Sequence, residues 1–411
     1  MMKGTKFRRA AALLMSLMIL ILGASAAAEV EPRIVGGGSF AYARDSQGVW
    51  YSWGDNQFGQ MGRGNKTQNK NRIYEVMSKN EEMDVTQIRE VYCGCDYSYF
   101  LMNDGRIFAV GNLSGGRLLN QGGILYTHRQ VNIEDRTVVT MATGYGQALA
   151  LNEAGEVYAW GRNNAGQVGN GTHFFPTEVQ KLTELPKIKY IACGGFHSAA
   201  IDENGDLWMW GDNSYNQIHS GSRKEYIMTP MKMDLGGMKV RQVELGGHFS
   251  AIVDEEGNLY MWGRNDTKQV SIDTGKEKYV PERVKVDLPG PVKTLACYGS
   301  HTWCLLEDGS VWSWGCDGYG ELGYGFRTPA DTGLALSHGE LEFSGREHKG
   351  PYSSKICDGG AVAVTLGDLY GIILMEDGTM LSAGMNKFGQ LGRPAPYNGD
   401  SALGASELKL K

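Results

Sequence analysis

The chain has 411 residues, 58 of them glycine, about twice the ~7% of an average protein. With 20 Tyr, 9 Trp and 12 Phe among 42% hydrophobic residues it can build a large core, which excludes global disorder. Only 11 Pro and no every-third-residue glycine exclude a collagen-like chain. The net charge is −6, and the first 28 residues hold Lys3, Lys6, Arg8 and Arg9 and no acid, so the remainder carries −10. A surface that acidic gives no electrostatic basis for holding nucleic acid, whose affinity rests on neutralised phosphates.

Lys3 to Arg9 forms a basic segment, Ala10 to Leu22 an apolar run, and Ala24 to Ala28 a stretch of small residues. This is the pattern of a secretory signal peptide, and residues 1–28 are expected to be removed. No later run of eighteen apolar residues offers a membrane span. The reading is therefore a secreted, extracytoplasmic chain whose mature part is residues 29–411.

That part repeats. A turn glycine followed six residues later by a second glycine, usually after Trp, occurs seven times: Gly48/Gly54, Gly105/Gly111, Gly155/Gly161, Gly205/Gly211, Gly257/Gly263, Gly309/Gly315 and Gly378/Gly384. Eleven residues before the turn glycine stands another in six copies: Gly37, Gly94, Gly144, Gly194, Gly246 and Gly367. The repeat cores are residues 34–62, 91–119, 141–169, 191–219, 243–271, 295–323 and 364–392. Repeats of this length indicate a ring or array of small units.

Within each copy the elements follow one order. A short aliphatic run comes first (Arg33–Gly37, Ile188–Cys193, Val240–Leu245, Val292–Cys297, Ala361–Leu366). A second follows the glycine (Ser198–Ile201, Ser250–Val253, Thr302–Leu306). A Gly-containing turn, such as Glu203-Asn204-Gly205, supplies φ > 0 and leads into the Trp strand (Leu207-Trp208-Met209-Trp210, Val311-Trp312-Ser313-Trp314). Residues alternate faces along a strand, so both faces of the Trp strand are apolar and both must be covered. A fourth run follows (Glu178–Lys181, Met228–Met233, Pro281–Val286), and the chain ends on one (Glu407–Lys411). Four strands per copy, covered on both faces by neighbouring copies, predict an all-β, seven-bladed β-propeller of four-stranded antiparallel blades.

After the Trp-Gly pair comes a second phrase, Gly54-Asp55-Asn56-Gln57-Phe58-Gly59-Gln60-Met61-Gly62, repeated from Gly161 to Gly169 and from Gly384 to Gly392. With Cys193-Gly194-Gly195-Phe196-His197-Ser198, this resembles the regulator-of-chromosome-condensation repeat family over residues 31–411, and the leader suggests a secreted bacterial-type member. The resemblance implies a propeller that binds proteins. Relatives exchange nucleotide on a small GTPase, serve ubiquitin ligases, sense ultraviolet-B light or inhibit β-lactamase, and fold does not select among these. Several copies depart from the pattern. Val110 and Ala383 replace the strand Trp, and Asn216, Lys268, His219 and Ser271 replace loop glycines; such blades require compensation from neighbours or carry a specialised surface.

Chemistry-bearing motifs are absent: no Gly-x-Ser-x-Gly, no His-Glu-x-x-His and no phosphate-binding Gly-x4-Gly-Lys-Ser/Thr. His197 and His301 share one repeat slot with Tyr97, Gln147 and Phe249, which reads as packing. No catalytic, cofactor-binding or metal residue is assigned, no cofactor is expected, and the seven cysteines read as small buried hydrophobes. The leading reading is a monomeric, non-enzymatic propeller for a protein partner. A guanine-nucleotide exchange factor-like regulator and a cell-wall or carbohydrate-binding propeller are the alternatives, the latter because Trp stacks on sugars. The longest insertion, Phe326–Lys355, holds Arg327, Arg346, His348, Lys349 and Tyr352 and is the candidate partner-binding loop. Leu113–Gln130 is a second, and Phe174, Phe175, Tyr226 and Tyr279 are candidate exposed anchors.

Overall fold

Each Gly-turn-Trp-Gly phrase folds into the middle of a four-stranded antiparallel meander, seen here in a computed structural model. It describes residues 30–66, 72–117, 123–133, 135, 137–218, 225–271, 277–325, 353–396 and 399–410. The expected leader lies outside these residues. The blades follow the chain without exchange of strands. Blade 1 is β1 (Arg33–Gly36), β2 (Phe40–Arg44), β3 (Trp50–Gly54) and β4 (Tyr74–Glu75); blade 2 is β5 (Ile88–Cys93), β6 (Tyr97–Met102), β7 (Ile107–Asn112) and β8 (Ile124–Gln130). Blade 3 is β9 (Val138–Thr143), β10 (Gln147–Asn152), β11 (Val157–Gly161) and β12 (Gln180–Lys181); blade 4 is β13 (Ile188–Cys193), β14 (His197–Asp202), β15 (Leu207–Asp212) and β16 (Tyr226–Lys232). Blade 5 is β17 (Val240–Leu245), β18 (Phe249–Asp254), β19 (Leu259–Arg264) and β20 (Tyr279–Lys285). Blade 6 is β21 (Val292–Tyr298), β22 (His301–Leu306), β23 (Val311–Gly315) and β24 (Ser354–Cys357); blade 7 is β25 (Ala361–Leu366), β26 (Tyr370–Met375), β27 (Thr379–Gly384) and β28 (Asp400–Lys409). The all-β, seven-bladed expectation holds. Of the two loop candidates, Leu113–Gln130 ends in the fourth strand of blade 2, β8, and its residues 118–122 lie outside the described ones.

The first strands of successive blades pack side by side around the axis, and the second strands lie inside; all six residues of β6, β10, β14, β18 and β22 are buried. The glycines serve two purposes. Those after the Trp strand have φ near +100°, as at Gly263 (104°), a region that L side chains avoid. Those before the hairpin are different from the turn role expected of them: a Cβ on Gly144 would stand 2.1 Å from the Gly194 carbonyl oxygen, and one on Gly194 2.5 Å from that of Gly246. Neighbouring blades touch at Gly144, Gly194 and Gly367, while Gly37, Gly94 and Gly246 leave room for an aromatic of their own blade, Phe40, Tyr97 and Phe249.

Blades are joined through the strand Trp. In three blades its Nε1 donates to the backbone carbonyl of the loop Gln one blade earlier: Trp210 to Gln167 (3.0 Å), Trp314 to Gln269 (3.1 Å) and, across the ring closure, Trp53 to Gln390 (3.0 Å); Trp262 Nε1 in blade 5 is buried without such a bond. Gly36 N to Thr365 Oγ1 and Asp368 N to the Gly38 carbonyl, each 2.9 Å, complete the seal between blades 1 and 7. Where the Trp is missing, an aromatic on the second strand of the preceding blade takes over. Tyr42 donates to the Gln60 carbonyl (2.8 Å) beside Val110 of blade 2, and Trp303 to that of Glu321 (3.0 Å) beside Ala383 of blade 7. Trp303 lies over Gly371, the cross-strand partner of Ala383. In blade 2, Tyr99 bonds the Arg117 carbonyl and receives Trp160 Nε1 at 3.0 Å. The departures from the repeat are thus compensated by neighbours.

The lost loop glycines left a different trace. Asn216, Lys268 and Ser271 keep the glycine conformation at φ 57–61° and are the non-glycine residues with positive φ among those described. Ser271 is also buried, with its hydroxyl unpaired. Ser271→Gly is expected to stabilise the fold by about 1 kcal/mol, relieving the left-handed strain of a Cβ-bearing residue against some gain in unfolded-state entropy. A denaturant titration with an unmoved midpoint would reject this.

Candidate docking face

The A–B connections (first to second strand) and C–D connections (third to fourth) emerge at one end of the ring, the B–C turns and D–A links at the other. All seven B–C turns carry an acid, from Asp45 to Asp377. At the A–B/C–D end the repeated Asn and Gln brace each loop from within. Asn163 Oδ1 accepts from Val168 N (2.9 Å) and Gln167 Oε1 from Ala165 N (2.8 Å); blades 1, 4, 5 and 7 repeat both bonds with Asn and Gln, blade 6 with Asp317 and Glu321. Loops so braced hold their side chains on a rigid frame.

Two positions per blade point from that frame: the residues just before the second strand and those just after the third. In blades 2 to 6 they form a connected aromatic–arginine belt. Tyr145 meets Phe196 edge-on (5.6 Å) and Tyr298 at a tilt (5.7 Å); Phe196 stacks on His248 (5.0 Å, 21°), which also touches Tyr215 (5.2 Å). Arg162 lies over Phe196 and Arg264 over Tyr215, favourable cation–π placements. Arg117 pairs with Asp96 (2.9 Å) and donates to the Tyr145 carbonyl. His248 Nδ1 stands 2.9 Å from Asp212 Oδ2. Burial works to raise the Asp212 carboxyl, but the bonds from His248 and Ser214 outweigh it and hold it below the usual range. Burial, with Asp368 adding, keeps the Tyr145 phenol protonated. His248 makes no hydrogen bond to a serine or cysteine among the described residues, so the pair lacks the nucleophile of a hydrolytic site.

Around the belt sit large exposed side chains. Phe174 is 81% exposed, Phe175 45%, Tyr226 41% and Tyr279 40%, all on the C–D connections or the fourth strands of blades 3 to 5. All four are exposed, as the sequence led one to expect. The loop residues Arg327, Arg346, His348, Lys349 and Tyr352 lie outside the described residues; the flanking Gly325 and Ser353 belong to the same C–D end. The belt residues Tyr145, Phe196, Tyr215 and His248 went unrecognised, because they occupy repeat slots whose identity changes from blade to blade.

The remaining candidates are structural. His197 and His301 are buried between blades, like Tyr97, Gln147, Phe249 and Tyr370 in the same slot; Gln147 donates to the Gly194 carbonyl (3.0 Å) and Tyr97 to that of Gly144 (2.8 Å). All seven cysteines are free thiols. Trp53, Trp160, Trp210, Trp262, Trp303 and Trp314 are fully buried and Trp50 nearly so, while Trp208 and Trp312 are half-buried with their Nε1 atoms bound to Asp202 and Ser310. Among the described residues no three His, Cys, Asp or Glu side chains gather as a metal site, and no helix is long and apolar enough to cross a membrane.

Comparison with known proteins agrees with this architecture. The chain is 31% identical over 183 residues to a human protein described as probable E3 ubiquitin-protein ligase HERC6 (43% of this chain, 16% of that protein). It is 27% identical over 206 residues to the Arabidopsis thaliana ultraviolet-B receptor UVR8 (40% and 46%). The matched stretches thus span less than half of either relative. Among solved structures, Prp20p from Saccharomyces cerevisiae superposes with a TM-score of 0.66 at 22% identity (83% of this chain, 81% of that one). Human WBSCR16 gives 0.66 at 22% (84% and 86%). A family model described as RCC1-like domain matches residues 18–333, and the chain belongs to that family.

Proposed function

We propose that this protein is a secreted, non-enzymatic propeller that docks another protein on its A–B/C–D face. The observation that carries the reading is the aromatic–arginine belt ringed by Phe174, Phe175, Tyr226 and Tyr279. Exposed aromatics and arginines on a rigid frame are the composition of interface hot spots, and the acidic turns stand at the opposite end. Prp20p has binding properties toward Gsp1p and histones, which supports protein binding as a use of this fold. Secretion rests on the basic segment, apolar run and small residues before Glu29.

The test compares variants. A Phe174→Ala/Tyr226→Ala/Tyr279→Ala triple variant is expected to lose at least a hundredfold in affinity for the partner recovered from culture medium. Glu203→Ala/Glu255→Ala, on the opposite turns, is expected to bind as wild type does. Equal loss in both, or loss in the turn variant alone, would refute the face; a medium form that retains residues 1–28 would refute cleavage.

A further inference from the structure

Beneath the belt the channel widens into a cavity of about 290 Å³, open toward the A–B end. Its lining includes Tyr92, Tyr145 and Tyr298 and a single carboxylate, Glu244. Tyr145 lies across the mouth on a shelf of three glycines. A Cβ on Gly195 would stand 3.0 Å from its ring, and Cβ atoms on Gly247 and Gly299 would stand 3.4 and 3.6 Å from its hydroxyl. Gly144 and Gly146 flank it, and Arg117 holds its carbonyl, so the backbone is pinned while the side chain closes the opening.

The Glu244 carboxylate is incompletely matched. The Tyr190 hydroxyl (2.7 Å) and Gln242 Nε2 (3.2 Å) both donate to Oε1, which leaves Oε2 to the cavity. Among the described residues no lysine, arginine or histidine faces it, and burial raises its pKa. Burial thus favours the protonated carboxyl, and a cation bound beside it would favour the ionised form. A hard metal ion needs several carboxylate or imidazole donors, and no such group is present among the described residues. A lining of three tyrosines and one carboxylate instead suits an alkylammonium ion, whose positive charge spreads over methyl groups that pack on aromatic rings. The volume sits at the small end of ligand cavities.

We propose that the channel cavity is a binding site for a small alkylammonium ion, held by Glu244 and the rings of Tyr92, Tyr145 and Tyr298, with Tyr145 as its lid. The site lies inside the ring, beneath the belt, and shares Tyr145 with it; the titration uses the free protein and so does not depend on the proposed docking.

Calorimetric titration of the full chain with tetramethylammonium and with choline tests this, using 3,3-dimethylbutan-1-ol as the uncharged analogue of choline. Saturable binding of both cations is expected in the millimolar range or tighter, with the alcohol at least tenfold weaker. Glu244→Gln is expected to weaken the cations at least tenfold while melting as a folded protein. Should that variant fail to fold, the wild-type melting temperature decides, since choline must raise it and the alcohol must not. Absence of binding, equal binding of the alcohol, or undiminished binding by folded Glu244→Gln overturns the proposal.

Discussion

Trp303→Ala is expected to destabilise the protein by about 3–5 kcal/mol, the range for truncating a fully buried Trp. Trp303 fills the room between blades 6 and 7 that Ala383 and Gly371 leave empty, and its Nε1 satisfies the Glu321 carbonyl. The loss therefore combines a cavity with an orphaned buried acceptor. The sharper expectation concerns rescue. Ala383→Trp alone overpacks the site and destabilises. Combined with Trp303→Ala it restores the arrangement in which Trp53 meets Gln390 and Trp210 meets Gln167. The double variant is expected to recover at least half of the lost stability in chemical denaturation. Additive losses, with no coupling between the two positions, would show that Trp303 does not substitute for the missing strand Trp.

Acid is expected to unfold the ring through histidines that burial keeps neutral. Burial lowers His197 to about 3 and His128 and His301 to about 4, against ~6.5 in the unfolded chain. Between these values the unfolded state binds protons that the folded state refuses. Stability is therefore intact above pH 6.5 and falls as the pH drops toward 4. At pH 5 each histidine contributes a loss of about 2 kcal/mol, about 6 for the three. Glu244 and Glu321, whose burial raises their carboxyl pKa values, act in the opposite direction, so the histidine share must be read by difference. Gln147 and Phe249 occupy the same slot in blades 3 and 5. His197→Gln/His301→Phe is accordingly expected to retain the fold and to narrow the pH 7 to pH 5 stability difference by about 4 kcal/mol. An unchanged difference would mean that these histidines are not what acid attacks.

The ring was legible because its frame is local. The six-residue spacing from Gly205 to Gly211 and the alternation in Leu207–Trp210 lie within single blades, and each fixes a strand or a turn by short-range sterics. What joins the blades was not legible. The bonds from Trp53 to Gln390 and from Gly36 to Thr365 link residues far apart in sequence. Trp303 lies outside the repeated Trp strand, and the gap it fills, beside Ala383, belongs to another copy. The functional face divided in the same way. Phe174, Phe175, Tyr226 and Tyr279 announced themselves as large apolar residues in polar loops. Tyr145, Phe196, Tyr215 and His248 come from four separate connections, and only the closed ring stacks them into a belt. The channel carboxylate was hidden for a related reason. Glu244 follows the strand alternation of β17, and nothing in its own blade shows that it faces a cavity.

Amide hydrogen exchange on the propeller, free and bound to its protein partner, tests the docking face most directly. Protection on binding is expected in the A–B and C–D connections of blades 3 to 5, around Tyr145, Phe196, Tyr215 and His248 and at the Phe174, Tyr226 and Tyr279 segments, with the B–C turns at Glu203 and Glu255 unchanged. Protection confined to those turns, with the belt exchanging as in the free protein, would contradict the account.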